Sequence, residues 1–438
     1  MADFLGITWA PPVQKPKTTN LYYYSGLRGE KVPKDVTHVI VKANVKTIRK
    51  EAFYNCRFLV YVKMGDSVKR IEKSAFSHCY MLKVVILSKE LEYIGEFAFN
   101  TCRGLEGLIL PSTVNEIVCW AFDRCCAMRL LILPSDIDVD GGVGVEIITG
   151  TAISKIAEAA GIRYEPPVAI ENGVEPEEML ELDQEEDPGE EWVPNELVGH
   201  VPEQGATHES VLHFNNWLIH HMDGSQLHKI CYDVFVTATK INNYFDAGHG
   251  KDDSALHTVD SIHGMLPLHM LTRNPHAPAD AILALLKANT NAVNAMDYEK
   301  KTPIHYAATY NPCAFVTIYS YFCEHNIMNE IQSLTVSHNG NENGRVPLHD
   351  MVMNPLIPVD TIVTLLNLQL ESAFCLDNKN MTPLDYAKDY NADCLISMIT
   401  LLCNHRNSVV SLENCTEEKT EKVEISRKRR YVDDVERG

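Results

Sequence analysis

The chain has 438 residues, 45% of them hydrophobic, and a formal net charge of −20 at pH 7. This composition fits a globular protein of roughly two to four domains, and the acidic balance disfavours generic binding to nucleic acid or to an anionic membrane. No apolar run reaches about 18 residues, and residues 1–10 lack a basic and apolar leader, so the sequence predicts neither a transmembrane helix nor a secretion signal.

Residues 1–20 contain three prolines and little hydrophobic periodicity, which predicts a flexible N-terminal lead. Three consecutive tyrosines, Tyr22–Tyr24, then open an extended segment. We expect these tyrosines to cover the first open edge of a repeat domain, because a terminal unit has no neighbour to bury its apolar face. Val39 and Val41 begin the first strand that is in register with the units that follow.

Residues 39–134 repeat themselves with a period of 23 residues. Each unit contains an isoleucine, then an Ala-Phe pair, then a cysteine, at fixed distances. The members of these columns are Ile48, Ile71, Ile94 and Ile117; Phe53, Phe76, Phe99 and Phe122; and Cys56, Cys79, Cys102 and Cys125. Later in the unit, Val62 and Met64 alternate with their neighbours at the period of a β-strand. A fixed period in the twenties indicates a solenoid of stacked units.

The running pattern Ile-x-x-x-Ala-Phe-x-x-Cys-x-x-Leu-x-x-Val-x-Leu-Pro resembles the BspA-like form of the leucine-rich repeat. This resemblance implies parallel strands stacked along one face of a curved α/β solenoid, which we assign to residues 21–164. The 13 cysteines include the periodic ones. We interpret these as buried structural thiols of a reducing compartment rather than as a metal site, and we expect no cofactor.

The strand face that points away from the solenoid core is unusually apolar. Its candidate partner-binding residues are Tyr61, Val84, Ile86, Ile109, Leu130 and Ile132. A solvated sheet face should be polar at these positions, and a contiguous apolar patch indicates an interface. Two interpretations follow from the sequence. The face binds another protein, or another part of this chain covers it.

Residues 165–210 differ sharply from the repeats. They contain many glutamates and six prolines, and no lysine or arginine occurs between Arg163 and Lys229. This composition predicts an acidic, extended and disordered linker. Two apolar pairs, Met179-Leu180 and Trp192-Val193, interrupt it. They are candidates for a short docking motif, although a solvated linker is the simpler interpretation.

A second repeated region covers residues 211–405. Its marker is a tetrapeptide of the Thr-Pro-Leu-His type, at 225–228, 266–269, 302–305, 346–349 and 382–385. The second and fourth copies are 80 residues apart, as are the third and fifth, which suggests that a doubled unit has been copied. A polar cap followed by proline is a typical helix start. The tetrapeptide and the apolar second helix resemble a divergent ankyrin repeat, which implies an all-α solenoid of helix pairs.

The ankyrin resemblance also implies a role for the tetrapeptide histidines, which would tie neighbouring units together by hydrogen bonds. They would lie about one unit apart, too far to share a metal ion. The last residues, 406–438, form a charged tail that composition predicts to be disordered. It contains a basic cluster of the type recognised by nuclear import receptors, which consists of Arg427, Lys428, Arg429 and Arg430.

The sequence contains no phosphate-binding loop, nucleophile elbow, zinc-protease or kinase motif, and it offers no catalytic residue. Two solenoids provide extended surfaces that bind macromolecules. We therefore expect a non-catalytic, intracellular protein-interaction scaffold whose partners are other proteins. We expect no small-molecule substrate, no direct nucleic-acid binding and no membrane association. The alternative is a nuclear regulatory adaptor imported through residues 427–430.

Overall fold

The computed structural model describes residues 20–138, 141–144, 146–162, 208–222, 225–249, 254–325, 344–354, 357–368 and 370–406. The N-terminal part is a solenoid with two rows of short strands. The first row comprises β1 (Leu21–Tyr24), β2 (His38–Val41), β4 (Tyr61–Lys63), β6 (Val84–Ile86), β8 (Gly107–Ile109) and β10 (Leu130–Ile132). The second row comprises β3 (Thr47–Ile48), β5 (Arg70–Ile71), β7 (Tyr93–Ile94) and β9 (Glu116–Ile117). All strand pairs are parallel, as predicted.

The repeated phenylalanines and cysteines form the centre of the solenoid. The rings of Phe53, Phe76, Phe99 and Phe122 stack in one column, with centroids 4.9, 5.1 and 5.6 Å apart. The Cys79 thiol donates to the Phe53 carbonyl at 3.2 Å, and the same contact recurs one unit later. Burial raises the pKa of Cys79 well above its usual value, so this thiol stays protonated and serves as a donor.

The segment between the two strand rows is a turn in which the chain twice enters the left-handed region. The first such position recurs at Glu51, Ser74, Phe97 and Trp120, and the second at Asn55, His78, Thr101 and Arg124. These conformations turn backbone N–H groups toward the next unit, as in the 2.8 Å bond from the Asn55 N–H to the Ser77 carbonyl. Because side chains tolerate this region poorly, the stacking of units stabilises each turn.

Two helices close the C-terminal end of the solenoid. Helix α1 (Ala152–Ala159) buries Ile153 and Ala157. Helix α2 (His208–His220) buries Phe214, Leu218 and Ile219 in the same apolar cluster as the solenoid core. The sequence assigned residues from 211 onward to the helical repeats, whereas α2 packs on the solenoid.

The C-terminal region is helical, which confirms the predicted class of this part of the chain. The first helices of successive pairs are α3 (Gln226–Tyr232), α6 (Pro267–Arg273), α8 (Pro303–Tyr310), α10 (Pro347–Met353) and α12 (Pro383–Tyr390). The second helices are α4 (Ala238–Tyr244), α7 (Ala279–Ala288), α9 (Pro312–Glu324), α11 (Val359–Leu368) and the helical residues 392–406. Short helical segments lie at Phe245–His249, α5 (Ser254–His257), Thr290–Asn294 and Leu370–Phe374.

The first helices stack on one another in sequence order. Four of them begin with proline directly after the cap position, where the missing N–H removes no intrahelical hydrogen bond. This local chemistry explains why the repeated tetrapeptide located the helix starts correctly.

Candidate functional site between the strand face and the helices

The outward strand face of the solenoid lies against the helices of the same chain. Five of its six candidate residues are buried and belong to the same apolar cluster as helical residues such as Leu268 and Ile304; they are Tyr61, Val84, Ile86, Leu130 and Ile132. The sixth, Ile109, is half-buried and packs against that cluster. Helix α8 contacts β6, and α2 contacts β10. The predicted partner-binding face is therefore occupied in this structure, and the interpretation in which the chain covers its own face applies.

A row of charges borders this apolar contact. Lys83, Glu106 and Arg129 occupy the same position in three successive solenoid units, directly before the outward strand. Each meets an opposite charge from the helical region. Lys83 lies 3.6 Å from Asp350, Glu106 2.9 Å from Lys301, and Arg129 3.1 Å from Glu299. The alternation of signs fixes which part of the helical region meets which strand, because a shift by one unit would bring like charges together.

Lys301 is the centre of this charge row. Its ammonium group lies 2.9 Å from Glu106 and 2.8 Å from Glu299, and only 12% of its side chain is exposed. Burial alone would raise the pKa of Glu106, but the charges of Lys301 and Lys83 outweigh it and hold that pKa well below its usual range. Glu106 is therefore ionised at neutral pH and attracts Lys301.

Replacing Lys301 by methionine should lower the free energy of unfolding by about 1–3 kcal/mol, because two carboxylates would lose the cation they share. The matched control is Lys69→Met, which breaks an ion pair with Glu92 at 2.5 Å on an open part of the solenoid. Exposed pairs contribute little, so the control should change stability much less. Urea unfolding measures both. Equal effects would contradict the placement of this charge row in a buried interface.

The first strand row is interrupted at the centre of the interface. β6 belongs to the sheet β1-β2-β4-β6 and β8 to the sheet β8-β10, whereas the second row runs on from β3 to β9. The turn after helix α6 lies at this interruption, where His276 Nε2–H donates to the Leu87 carbonyl at 3.0 Å. Arg273, at the end of α6, lies over Gly107. A Cβ atom there would be 2.5 Å from the Leu130 carbonyl oxygen and 2.7 Å from Arg273 Nη2, so glycine permits both close approaches.

A small cavity remains beside this turn. It is lined by residues of both regions, among them Gly107, Arg273, His276 and Tyr310. Sequence reasoning did not identify these residues or the charge row. The charged column at 83, 106 and 129 was a detectable signal, because its alternating signs repeat with the solenoid period. Arg273 gave no such signal, since its environment exists only once the two regions are docked.

Several predicted features lie outside the described residues. They are the lead at residues 1–19, almost all of the acidic segment at 165–207, and the basic cluster of Arg427, Lys428, Arg429 and Arg430. Within the described ranges, no helix has the length and hydrophobicity needed to cross a membrane. The same ranges contain no group of three His, Cys, Asp or Glu side chains placed to hold a metal ion.

Comparison with known families matches one part of the chain. The BspA type leucine rich repeat region aligns with six copies over residues 33–140. Residues 33–140 are a BspA-type leucine-rich repeat region. The predicted resemblance is thus confirmed for this segment, and leucine-rich repeats of this kind generally take part in protein interactions. No curated protein matches the chain.

Three solved structures are similar to this chain over about a quarter of its length. A leucine-rich repeat protein from Bacteroides ovatus is 27% identical over 27% of this chain, with a TM-score of 0.25. The T. pallidum leucine-rich repeat protein is 22% identical over 30%, with a TM-score of 0.25. A leucine-rich cell surface protein from Faecalibacterium prausnitzii is 28% identical over 24%, with a TM-score of 0.24. This chain covers 35%, 63% and 29% of those chains, which is less than two thirds of each.

Proposed function

We propose that this chain is a non-catalytic protein-interaction protein in which the leucine-rich solenoid and an ankyrin-like helical array act as one rigid unit. The observation that carries the proposal is the interface itself. The apolar strand face packs against apolar side chains of the helical region, and the charged residues beside it pair with opposite charges of that region, so that each region holds the other in place. A rigid pair of solenoids presents an extended surface of fixed geometry, which suits recognition of other proteins.

Hydrogen bonds between successive helix pairs support the ankyrin-like assignment. The imidazole Nε2–H of the tetrapeptide histidine donates to a backbone carbonyl of the following unit in four places: His228 to Met265 at 2.9 Å, His269 to Ala295 at 3.1 Å, His305 to Arg345 at 3.3 Å and His349 to Met381 at 3.1 Å. Tyr306 and Tyr386, which are 80 residues apart, each donate to an aspartate at 2.6 Å. These repeated contacts are those expected of a duplicated helical unit.

The partner-binding surface that we propose is the loop before helix α12, which we call the 374–376 loop. Phe374 and Leu376 are 58% and 59% exposed there. Met296, 80 residues earlier, occupies the position of Leu376 in the preceding copy and is 48% exposed. A loop tip that only faces water would be polar, and the recurrence of exposed apolar side chains at this position supports a contact surface. The strand face cannot supply this surface while the helices cover it.

The test is affinity capture from the native cell with wild-type protein and the double variant Phe374→Glu, Leu376→Glu. Both side chains are exposed, so the variant should fold normally, and we expect the bound proteins to be lost. The matched control is Leu27→Glu, which adds a charge at a 68% exposed leucine of the solenoid. Partners that survive the loop variant and disappear with the control would overturn this assignment of the surface.

A further inference from the structure

The cavity at the interruption of the first strand row is lined by two residues that each carry a buried polar atom without a hydrogen-bond partner. Its volume is about 30 Å³. Arg273 Nη2 and Tyr310 Oη, from two successive first helices, are buried and have no hydrogen-bond partner in the structure. Arg273 is only 5% exposed and Tyr310 only 7%. Since both groups can donate, a single acceptor in the cavity would satisfy both of them.

The guanidinium of Arg273 also lacks a carboxylate. Its charge lies over the rings of Tyr310 and Tyr306, at 4.8 and 5.3 Å from their centroids. Glu106 is the carboxylate whose charge acts most strongly on Arg273, but it already forms an ion pair with Lys301 at 2.9 Å. Aromatic faces attract a cation but accept no strong hydrogen bonds from its N–H groups. Arg273 therefore retains a buried charge that no described carboxylate neutralises within ion-pair distance.

We propose that this cavity binds one small monovalent anion of the chloride type, held by Arg273 Nη2–H and Tyr310 O–H. A water molecule would accept the same hydrogen bonds but would leave the charge of Arg273 uncompensated, which is unfavourable in a buried site. The volume admits roughly two water molecules. It therefore suits a single halide ion and excludes a phosphate or a dicarboxylate. The anion would lie between the two repeat regions and stabilise their contact.

The test measures thermal unfolding of the full chain in sodium chloride and in sodium gluconate at matched ionic strength. Gluconate is too large for the cavity. We expect the melting temperature of the wild type to rise by about 2–5 °C with chloride, and to saturate as a single site does. Arg273→Met should abolish the chloride dependence, and Tyr310→Phe should raise the half-saturating chloride concentration about tenfold. Arg129→Met, which removes an interface cation outside the cavity, should keep the wild-type response.

Crystals soaked in sodium bromide give a second readout that does not depend on a variant that might fold poorly. Anomalous diffraction should show one bromide within hydrogen-bond distance of Arg273 and Tyr310. A melting temperature that follows ionic strength but not the identity of the anion would overturn the proposal. So would a cavity that contains only water in bromide-soaked crystals.

Discussion

Glutamates placed at Ile86 and Ile132 should release the helices from the solenoid while the solenoid itself stays folded. Both side chains point outward and belong to the apolar cluster of the helical region, whereas their neighbours Val85 and Leu131 belong to the solenoid core. An unpaired carboxylate costs several kcal/mol when it is buried. Two of them would remain in the interface only at a large cost, so undocking is the favourable response.

Hydrogen exchange resolves this result by region. In the double variant, exchange should accelerate in helices α6 and α8, which lose their cover, while the second strand row stays protected. The matched control is Lys63→Glu, because Lys63 occupies the same outward column but is exposed. It should leave exchange unchanged. Protection of both helices at the wild-type level in the double variant would show that the strand face does not hold them.

The solenoid was predictable because its information is local and repeated. The columns of Ile, Phe and Cys recur with one period, and each unit packs only on its neighbours, so that a pattern along the chain defines the contacts in space. The same argument predicted the helix starts, where proline and its preceding cap residue act within one turn. In both cases the contacts that decide the structure join residues whose spacing in sequence is fixed.

The interface was predictable only in part. The apolar outward column of Ile86 and Ile132 showed that something covers this face, but hydrophobic burial has no direction and does not identify the cover. The charges restrict which surface can cover it, because Lys83, Glu106 and Arg129 are each stabilised by a residue of opposite charge. Their partners in the helical region, Asp350, Lys301 and Glu299, are not spaced by a common period. Their positions follow from how the two regions dock, which one sequence does not show.

Arg273 and Gly107 illustrate the same limit for a single pair. Gly107 stands in a column whose other members are large. A side chain there would meet the backbone carbonyl of Leu130, in the next solenoid unit, and also the guanidinium of Arg273, which is 166 positions away along the chain. The contact between Gly107 and Arg273 exists only when the two regions are docked, so the sequence alone does not predict it.

Lowering the pH from 7 to 4 should destabilise the helical region through His269 and His305. Each Nδ1 accepts a backbone N–H from the residue three positions earlier, at 3.0 and 3.1 Å, and each Nε2–H donates to the next unit. Both ring nitrogens are therefore committed in the neutral form. Burial lowers the pKa of each histidine from 6.5 to about 4. Protonation of Nδ1 would turn this acceptor into a donor, so the hydrogen bond from the backbone N–H would be lost.

The sign of the effect follows from these pKa values. Between pH 6.5 and 4 these two histidines bind protons in the unfolded chain but not in the folded chain. Their contribution to the free energy of unfolding is therefore full above pH 6.5 and falls as the pH approaches 4. The loss is about 1.4 kcal/mol per pH unit and per histidine in this window. Glu106 also stabilises the folded state less at low pH, because its pKa is lower in the folded chain. That loss begins only as the pH falls below the ordinary pKa of 4.5. The interval from pH 6 to 5 therefore separates the histidines from Glu106. His38 and His221, whose pKa burial lowers to about 4, and Asp123, whose pKa burial raises to about 6, also contribute there, so the difference between the wild type and a variant assigns the part due to His269 and His305.

Urea unfolding at pH 7, 6 and 5, followed by circular dichroism of the helices, measures this dependence. The variant His269→Gln, His305→Gln should be less stable than the wild type at pH 7, since an amide fills the ring's place poorly. Its stability should nevertheless fall less steeply with pH, because two titrating groups are gone. The control His405→Gln changes an exposed histidine of helical residues 392–406 and should keep the wild-type slope. A double variant that is destabilised by the same amount at every pH would assign these histidines a packing role alone.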